Sequence, residues 1–342
     1  MGARAADVPG VTPADLGRAR ALMASSVVWD NHACLPLRTD DDTFLPAVDR
    51  HRASGVDVVS LNAGYGEQGP HRHLAMLAHF RAWYGERPER YVLARTAADV
   101  RDAKSAGKLA IIFDIEGMNA LGGRPELVSA YYDLGVRWML VAYNRTNPAG
   151  GGCLDEDPGL SEFGRAVIAE MERAGMLLCC SHTGWRTARE AIAVSKAPVI
   201  LSHSNAHALW DHPRNAPDEL MVACARTGGV VGVNGVGPFL GEGPASAVGI
   251  IRHVEHALAV VGEDHVSLAL DYSFNQAETR AYVRRMDEAS RRALRLDGEL
   301  TMAPPESFPE IVALLLARGH RPDAVRKVMG GNLLHLAEQV WR

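Results

Sequence analysis

Apolar residues gather in eight short unbroken runs, separated by longer stretches in which they recur every three or four positions. The runs are VVWDNH (27–32), VDVVSLNA (56–63), KLAIIFDIEG (108–117), VRWMLVAYN (136–144), MLLCCSH (176–182), PVILSHS (198–204), GVVGVNGV (229–236) and HVSLALD (265–271). Such runs predict parallel strands covered on both faces, because a strand with one wet face alternates apolar with polar positions. Helical spacing occupies 70–84, 95–106, 124–134, 161–174, 184–196, 216–227 and 246–261, and an opening helix over 13–25 begins at a Thr-Pro pair. Eight strand–helix repeats predict an α/β fold of the (β/α)8 TIM-barrel type. An open doubly wound sheet would usually carry a Gly-rich phosphate turn after an early strand, and the first exit here reads DNHACLP.

After the eighth run, residues 273–305 are charged and helix-prone, and are expected to cover the barrel mouth. The remainder reads as extra C-terminal helices, with Gly330-Gly331-Asn332 as the break and cap between them. No linker of Pro, Gly or Ser composition interrupts the pattern, so residues 1–342 are read as one domain.

Composition narrows the function classes. A net charge of -5 without any basic stripe argues against nucleic acid as a partner. No apolar stretch reaches membrane-spanning length, and the N-terminal MGARAADVPGVTPADLGRA has no hydrophobic signal core, so a cytoplasmic protein with no membrane partner is expected. Five cysteines without CxxC spacing fit neither a disulfide framework nor a Cys-rich zinc module, and Cys179 and Cys180 read as packing residues.

The strand exits of a barrel converge on one face, where function is found. Two exits repeat an apolar run followed by Ser-His, which delivers His182 and His203 side by side through one strand–helix–strand unit. The first exit supplies His32, the third Glu116 and the eighth Asp271. Imidazoles and carboxylates in this number suit a pair of divalent metals, with a carboxylate such as Glu116 able to bridge, and hence metal-assisted hydrolysis.

SHSNAHAL followed by HPRNAPDEL, the Ser-His at 181–182, DIEG (114–117), YNRTN (143–147) and VMGGNLLHL resemble the membrane (renal) dipeptidase family, a zinc-dependent branch of the amidohydrolase-like barrels, over about residues 27–337. The resemblance implies hydrolysis of a dipeptide or dipeptide-like small amide, one or two Zn2+ ions per chain and a small-molecule substrate, and leaves room for a homodimer. By position it implies that His32 belongs to a first metal, that Glu116 bridges, and that His182 and His203 hold a second. Asp271 is implied as the acid/base residue, and Arg214 as the partner of a substrate carboxylate. Asn144 stands where mammalian members carry a histidine that helps hold the oxyanion. The family's His-x-Asp after the first strand is here His32-Ala33-Cys34, and its Asp-Phe-Asp-Gly is Asp271-Tyr272-Ser273-Phe274.

Cys34 lies two residues beyond His32 and so points to the same side of an extended strand, which makes it a candidate thiolate ligand. The competing expectation is a tight second metal with a weak or missing first one and low dipeptide turnover. Other readings are a mononuclear enzyme for another small amide, lactam or N-acyl amino acid, and a non-catalytic relative. A serine hydrolase is disfavoured, since no GxSxG occurs. Substrate choice is assigned to loops 62–73, 145–160 and 237–245.

Overall fold

The computed structural model describes residues 11–342; the first ten residues, which include part of the N-terminal segment examined for a signal core, lie outside it. Among the described residues ten strands are formed: β1 (Trp29–Cys34), β2 (Val58–Tyr65), β3 (Tyr91–Leu93), β4 (Leu109–Glu116), β5 (Val136–Leu140), β6 (Leu177–Cys179), β7 (Val199–Ile200), β8 (Val231–Val233), β9 (Val266–Leu268) and β10 (Tyr272–Ser273). β1, β2, β4, β5, β6 and β7 pair in that order, all in parallel, as a curled sheet. A parallel bridge from Leu201 to Val231 carries the wall on to β8, which pairs with β9. Closure is made beyond β9, where β10 pairs with β1 through Ala33 and Tyr272.

Eight of these strands are the eight apolar runs, and the helices between them fall on the stretches of helical spacing. Sequence reading missed β3, a three-residue strand against the start of β4, pairing Tyr91 with Leu109. A strand this short contributes too few positions for a period to register. Also unforeseen was β10, which simply extends the eighth run past Asp271.

Caps account for several boundaries. The first helix (Pro13–Ala24) has a reciprocal box, Thr12 accepting from the Asp15 backbone while Asp15 accepts from that of Thr12. The helix after β6 (Trp185–Val194) has Gly184 at its start and no cap of its own. Asp157, from the loop after β5, caps it instead by accepting from the Arg186 and Thr187 backbone. That helix entry and the loop after β5 are thereby locked together around the His182 exit.

The expected break is present at Gly330, whose non-helical backbone (φ 163°, ψ -20°) kinks the chain just before the last helix (Asn332–Val340). Asn332 caps nothing; its side-chain amide donates to the carbonyls of Glu263 and Val266, both at 2.8 Å, and fastens this helix to the start of β9. Gly330 permits the approach, since a Cβ there would stand 2.4 Å from the Val27 carbonyl oxygen.

The charged segment does lie over the mouth, as two helices, Gln276–Arg285 and Glu288–Ala293. Arg145 ties it to the loop after β5 by pairing with both Asp155 and Asp287 at 2.7 Å. Arg295 donates to the Asp211 carbonyl at 2.7 Å and lies over the Trp210 ring. No helix among the described residues is long and apolar enough to cross a membrane.

Close approach is tightest between β7 and β8. A Cβ on Gly232 would stand 2.0 Å from the Ser202 carbonyl oxygen, one residue before His203. Gly232→Ala is therefore expected to destabilise the chain by about 1–3 kcal/mol through overpacking and to displace His203. Urea denaturation checks the first effect; an unchanged midpoint would show that the wall has slack here.

Candidate metal centre

β-strand periodicity places the donors. Asp114 and Glu116 are two apart on β4, as are His32 and Cys34 on β1, so each pair projects to one side of its strand. His182 and His203 stand just past the ends of β6 and β7. All of the sequence-predicted donors, His32, Cys34, Glu116, His182, His203 and Asp271, meet at this end of the barrel.

The tightest cluster is that of Glu116, His182 and His203. Their facing atoms form a triangle: Nε2 to Nε2 is 2.9 Å, and Glu116 Oε1 lies 3.3 Å from His182 and 3.2 Å from His203. The far nitrogen of each ring is already engaged, His182 Nδ1 with Asn144 Oδ1 and His203 Nδ1 with Ser202 Oγ, both at 2.7 Å. With those nitrogens donating, both Nε2 lone pairs face each other and the Glu116 oxygen. Glu116 Oε1 is correspondingly a buried atom with no hydrogen-bond partner. Ligand atoms about 2.0–2.1 Å from one tetrahedral ion stand roughly 3.3 Å apart, so the triangle fits a divalent cation.

Electrostatics agree. Burial, helped by the charges of Arg214 and His32, holds His182 well below the ordinary imidazole range, and burial with His32 does the same for His203. Both rings are therefore neutral ligands at pH 7. Burial pushes Glu116 up to about 8 despite the pull of His32.

His32, Cys34 and Asp271 form a second cluster. Cys34 Sγ lies 3.5 Å from His32 Nε2 and 4.0 Å from Asp271 Oδ1, and His32 Nε2 is 3.6 Å from Asp271 and 3.7 Å from Glu116. Burial would lower the His32 pKa, but Asp114, Cys34 and Glu116 outweigh it and hold the ring well above its usual value. Burial pushes the Cys34 thiol up to about 12, against the pull of His32. It raises Asp271 as well, with His32 and Arg214 opposing.

Arg214 was named from the sequence by resemblance alone, and its surroundings suit the role. Its side chain is buried, its Nη2 donates to the His203 carbonyl at 3.3 Å, and its Nε and Nη1 have no partner. An unsatisfied guanidinium face in a buried place is costly unless something completes it. Asn144 gives its side-chain oxygen to His182, so its amide nitrogen is what it has left for a ligand.

Sequence reading missed the supporting layer. Asp114 Oδ2 lies 3.2 Å from His32 Nδ1, and the same carboxylate accepts from Ser60 at 2.6 Å and Asn62 at 3.0 Å. Asn62 also donates to Glu116 Oε2 at 3.2 Å. The available signal was the period-two spacing of Asp114 and Glu116 in DIEG. Among the described residues, three of the four non-glycine residues with positive φ, Asn144 (58°), His182 (62°) and Asp271 (57°), belong to this centre. Left-handed backbone at such residues is uncommon and gathers at functional sites.

A cavity of about 280 Å³ opens over the cluster, lined among others by Cys34, Glu116, Asn144, His182, Arg214 and Asp271. Tyr65, Gln68, Arg72 and Phe239 come from the expected specificity loops, but much of the remaining wall comes from 273–302, which that assignment omitted.

Comparison with known proteins places this geometry. The family described as membrane dipeptidase (peptidase family M19) matches residues 16–281. The dipeptidase tcpJ of Claviceps purpurea is 28% identical over 331 residues, which are 95% of this chain and 69% of that protein. A dipeptidase of Schizosaccharomyces pombe, described as uncharacterized, is 34% identical over 191 residues, 54% of this chain and 47% of that one. The chain thus spans about half to two thirds of the curated relatives it matches. Among solved structures, an amidohydrolase from Pseudomonas aeruginosa superposes with a TM-score of 0.86 at 29% identity, covering 94% of this chain and 99% of that one. A metallo peptidase from Rhodobacter sphaeroides, liganded with a phosphinate mimic of L-Ala-D-Ala, shares the fold with a TM-score of 0.74 at 23% identity, covering 92% and 100%.

The raised Glu116 sets a pH dependence. A carboxyl with a pKa of about 8 in the metal-free protein is mostly protonated at pH 7 and must lose its proton to ligate. Metal uptake at pH 7 is expected to release protons, and affinity should fall as pH drops through 8. Calorimetry in buffers of different ionisation enthalpy reads this directly; proton-neutral uptake at pH 7 would contradict the assignment of Glu116 as ligand.

Proposed function

Since the chain belongs to the membrane dipeptidase family, we propose that it hydrolyses the amide bond of a dipeptide or dipeptide-like small molecule, with zinc as the metal. The observation that carries the reading is the convergence of two neutral imidazoles and an unpartnered carboxylate oxygen beneath a cavity that an unsatisfied arginine also lines.

Glu116, His182 and His203 would hold one ion, and His32 and Cys34 with Asp271 are the candidates around a further one. When bound, such an ion supplies acidification of a water and polarisation of the scissile carbonyl. Ser202 and Asn144 keep the two histidines in the tautomer that presents Nε2. Arg214, whose Nε and Nη1 have no protein partner, receives the substrate carboxylate in charge-assisted hydrogen bonds that fix the scissile bond relative to the donors. Asp271, which lines the cavity, takes the proton of the attacking water as its oxygen bonds to the carbonyl carbon. It returns that proton to the amine nitrogen as the C–N bond breaks. The raised Asp271 pKa suits a group that must both accept and donate. Asn144 offers its amide nitrogen to the developing oxyanion.

A mononuclear enzyme acting on another small amide is the second reading, favoured by Cys34. A thiol that burial keeps protonated is a poor ligand beside His32. On this reading Cys34→Asp raises the metal content from about one to about two ions per chain and speeds dipeptide hydrolysis. Mass spectrometry of freshly purified protein decides it: two ions in the unaltered chain, with no gain in the variant, would make Cys34 a competent ligand.

Arg214→Lys replaces a planar fork by a point charge. It should lower kcat/KM on substrates with a free carboxylate by about 10²-fold or more, on the order of 3 kcal/mol for a buried charge-assisted pair, and lower it far less on the corresponding amides. Equal losses on both would remove the carboxylate from the role of Arg214.

A further inference from the structure

The cavity above the centre is two-sided. Phe239, whose ring lies 5.4 Å from the Arg214 guanidinium carbon, belongs to a contiguous apolar cluster with Val236, Leu294, Leu296 and Leu300. Met302 packs against that cluster, and every one of these residues lines the cavity. The cluster joins the segment after β8 to the covering segment 273–302, so it exists only where the two meet. Another part of the lining is phenolic: the Tyr65 ring lies 5.2 Å from Tyr143 and 5.5 Å from Tyr282.

A carboxylate held by Arg214 has its α-carbon one bond away, beside Phe239. The side chain on that carbon therefore meets the apolar cluster. Apart from the Met302 sulfur, which accepts from Gln276 at 3.5 Å, this wall offers no side-chain hydrogen-bonding group and no charge, so an acidic or basic group there would lose water without compensation.

Resting on the dipeptidase-type reading of the site, we propose that the cavity selects substrates whose carboxylate-bearing residue carries a bulky aliphatic or aromatic side chain. Phe239, Leu296 and Leu300 are the specificity-determining residues, and glycine, aspartate and lysine at that position are disfavoured.

The test uses the metal-loaded full chain and begins with ligands that require no turnover. N-acetyl-leucine and N-acetyl-phenylalanine are expected to bind at least about tenfold more tightly than N-acetylglycine, from the burial of several carbons, and more tightly than N-acetylaspartate. Leu296→Asn should narrow that ratio by raising the Kd of the leucine derivative while leaving that of the glycine derivative nearly unchanged. Ala-Leu and Ala-Phe should likewise exceed Ala-Gly and Ala-Asp in kcat/KM. If the N-acyl series binds without preference for an apolar side chain, the proposal is overturned even when all four dipeptides are cleaved. If the preference is present and no dipeptide is cleaved, the selection stands and the dipeptidase reading fails. The ligand series on the unaltered chain decides the matter should the variant not fold.

Discussion

Three electron-pair donors, His182 Nε2, His203 Nε2 and Glu116 Oε1, are forced to within 2.9–3.3 Å of one another in a buried place. With Glu116 ionised and no cation beside it, that arrangement opposes folding, since each donor is desolvated and each faces its like. It persists because every donor is held from behind. Ser202 and Asn144 fix the rings, Asn62 fixes Glu116, and these partners sit on the neighbouring strands and exits of the same barrel wall. The wall in turn depends on close strand contact, as at Gly232. The centre and the barrel are thus one construction, and a change that loosens the wall loosens the ligand triangle with it.

The two donor clusters differ in quality. Around Glu116, His182 and His203, burial leaves the imidazoles neutral and the carboxylate short of a positive neighbour, and a divalent cation resolves both conditions at once. Around His32 and Cys34, the ring is drawn toward its charged form by Asp114 while the thiol is held in its neutral form by burial. Metal binding there must first discharge the histidine and ionise the cysteine. At the first of these positions an ion has only the Glu116 proton to displace, whereas at the second it would have to remake both the histidine and the cysteine.

Backbone strain is spent in the same place. Asn144, His182 and Asp271 each adopt left-handed conformations, each at a strand exit where the chain must turn sharply to leave its side chain aimed inward. Above them the covering segment closes the cavity and supplies its apolar wall, fastened by Arg145 and Arg295. The candidate metal donors thus come from strand ends, where position is rigid. The wall that reads the substrate comes largely from a separate segment.

The periodicity of the chain was enough to locate eight strands and the helices between them, because unbroken apolar runs and 3.6-residue spacing are local properties that burial on both faces imposes directly. Period-two spacing likewise aligned Cys34 with His32, and the Ser-His repeat announced His182 and His203. Local pattern could not reveal β3, whose three residues carry no period, nor the placement of Asn332, whose partners Glu263 and Val266 are remote in sequence. Nor could it show that Asp114 holds His32, that Asn144 holds His182, or that Arg214 Nε and Nη1 are unsatisfied. Those are facts about which side chains meet across the barrel. Only the closure of the sheet, and the descent of residues 273–302 over its mouth, determined them.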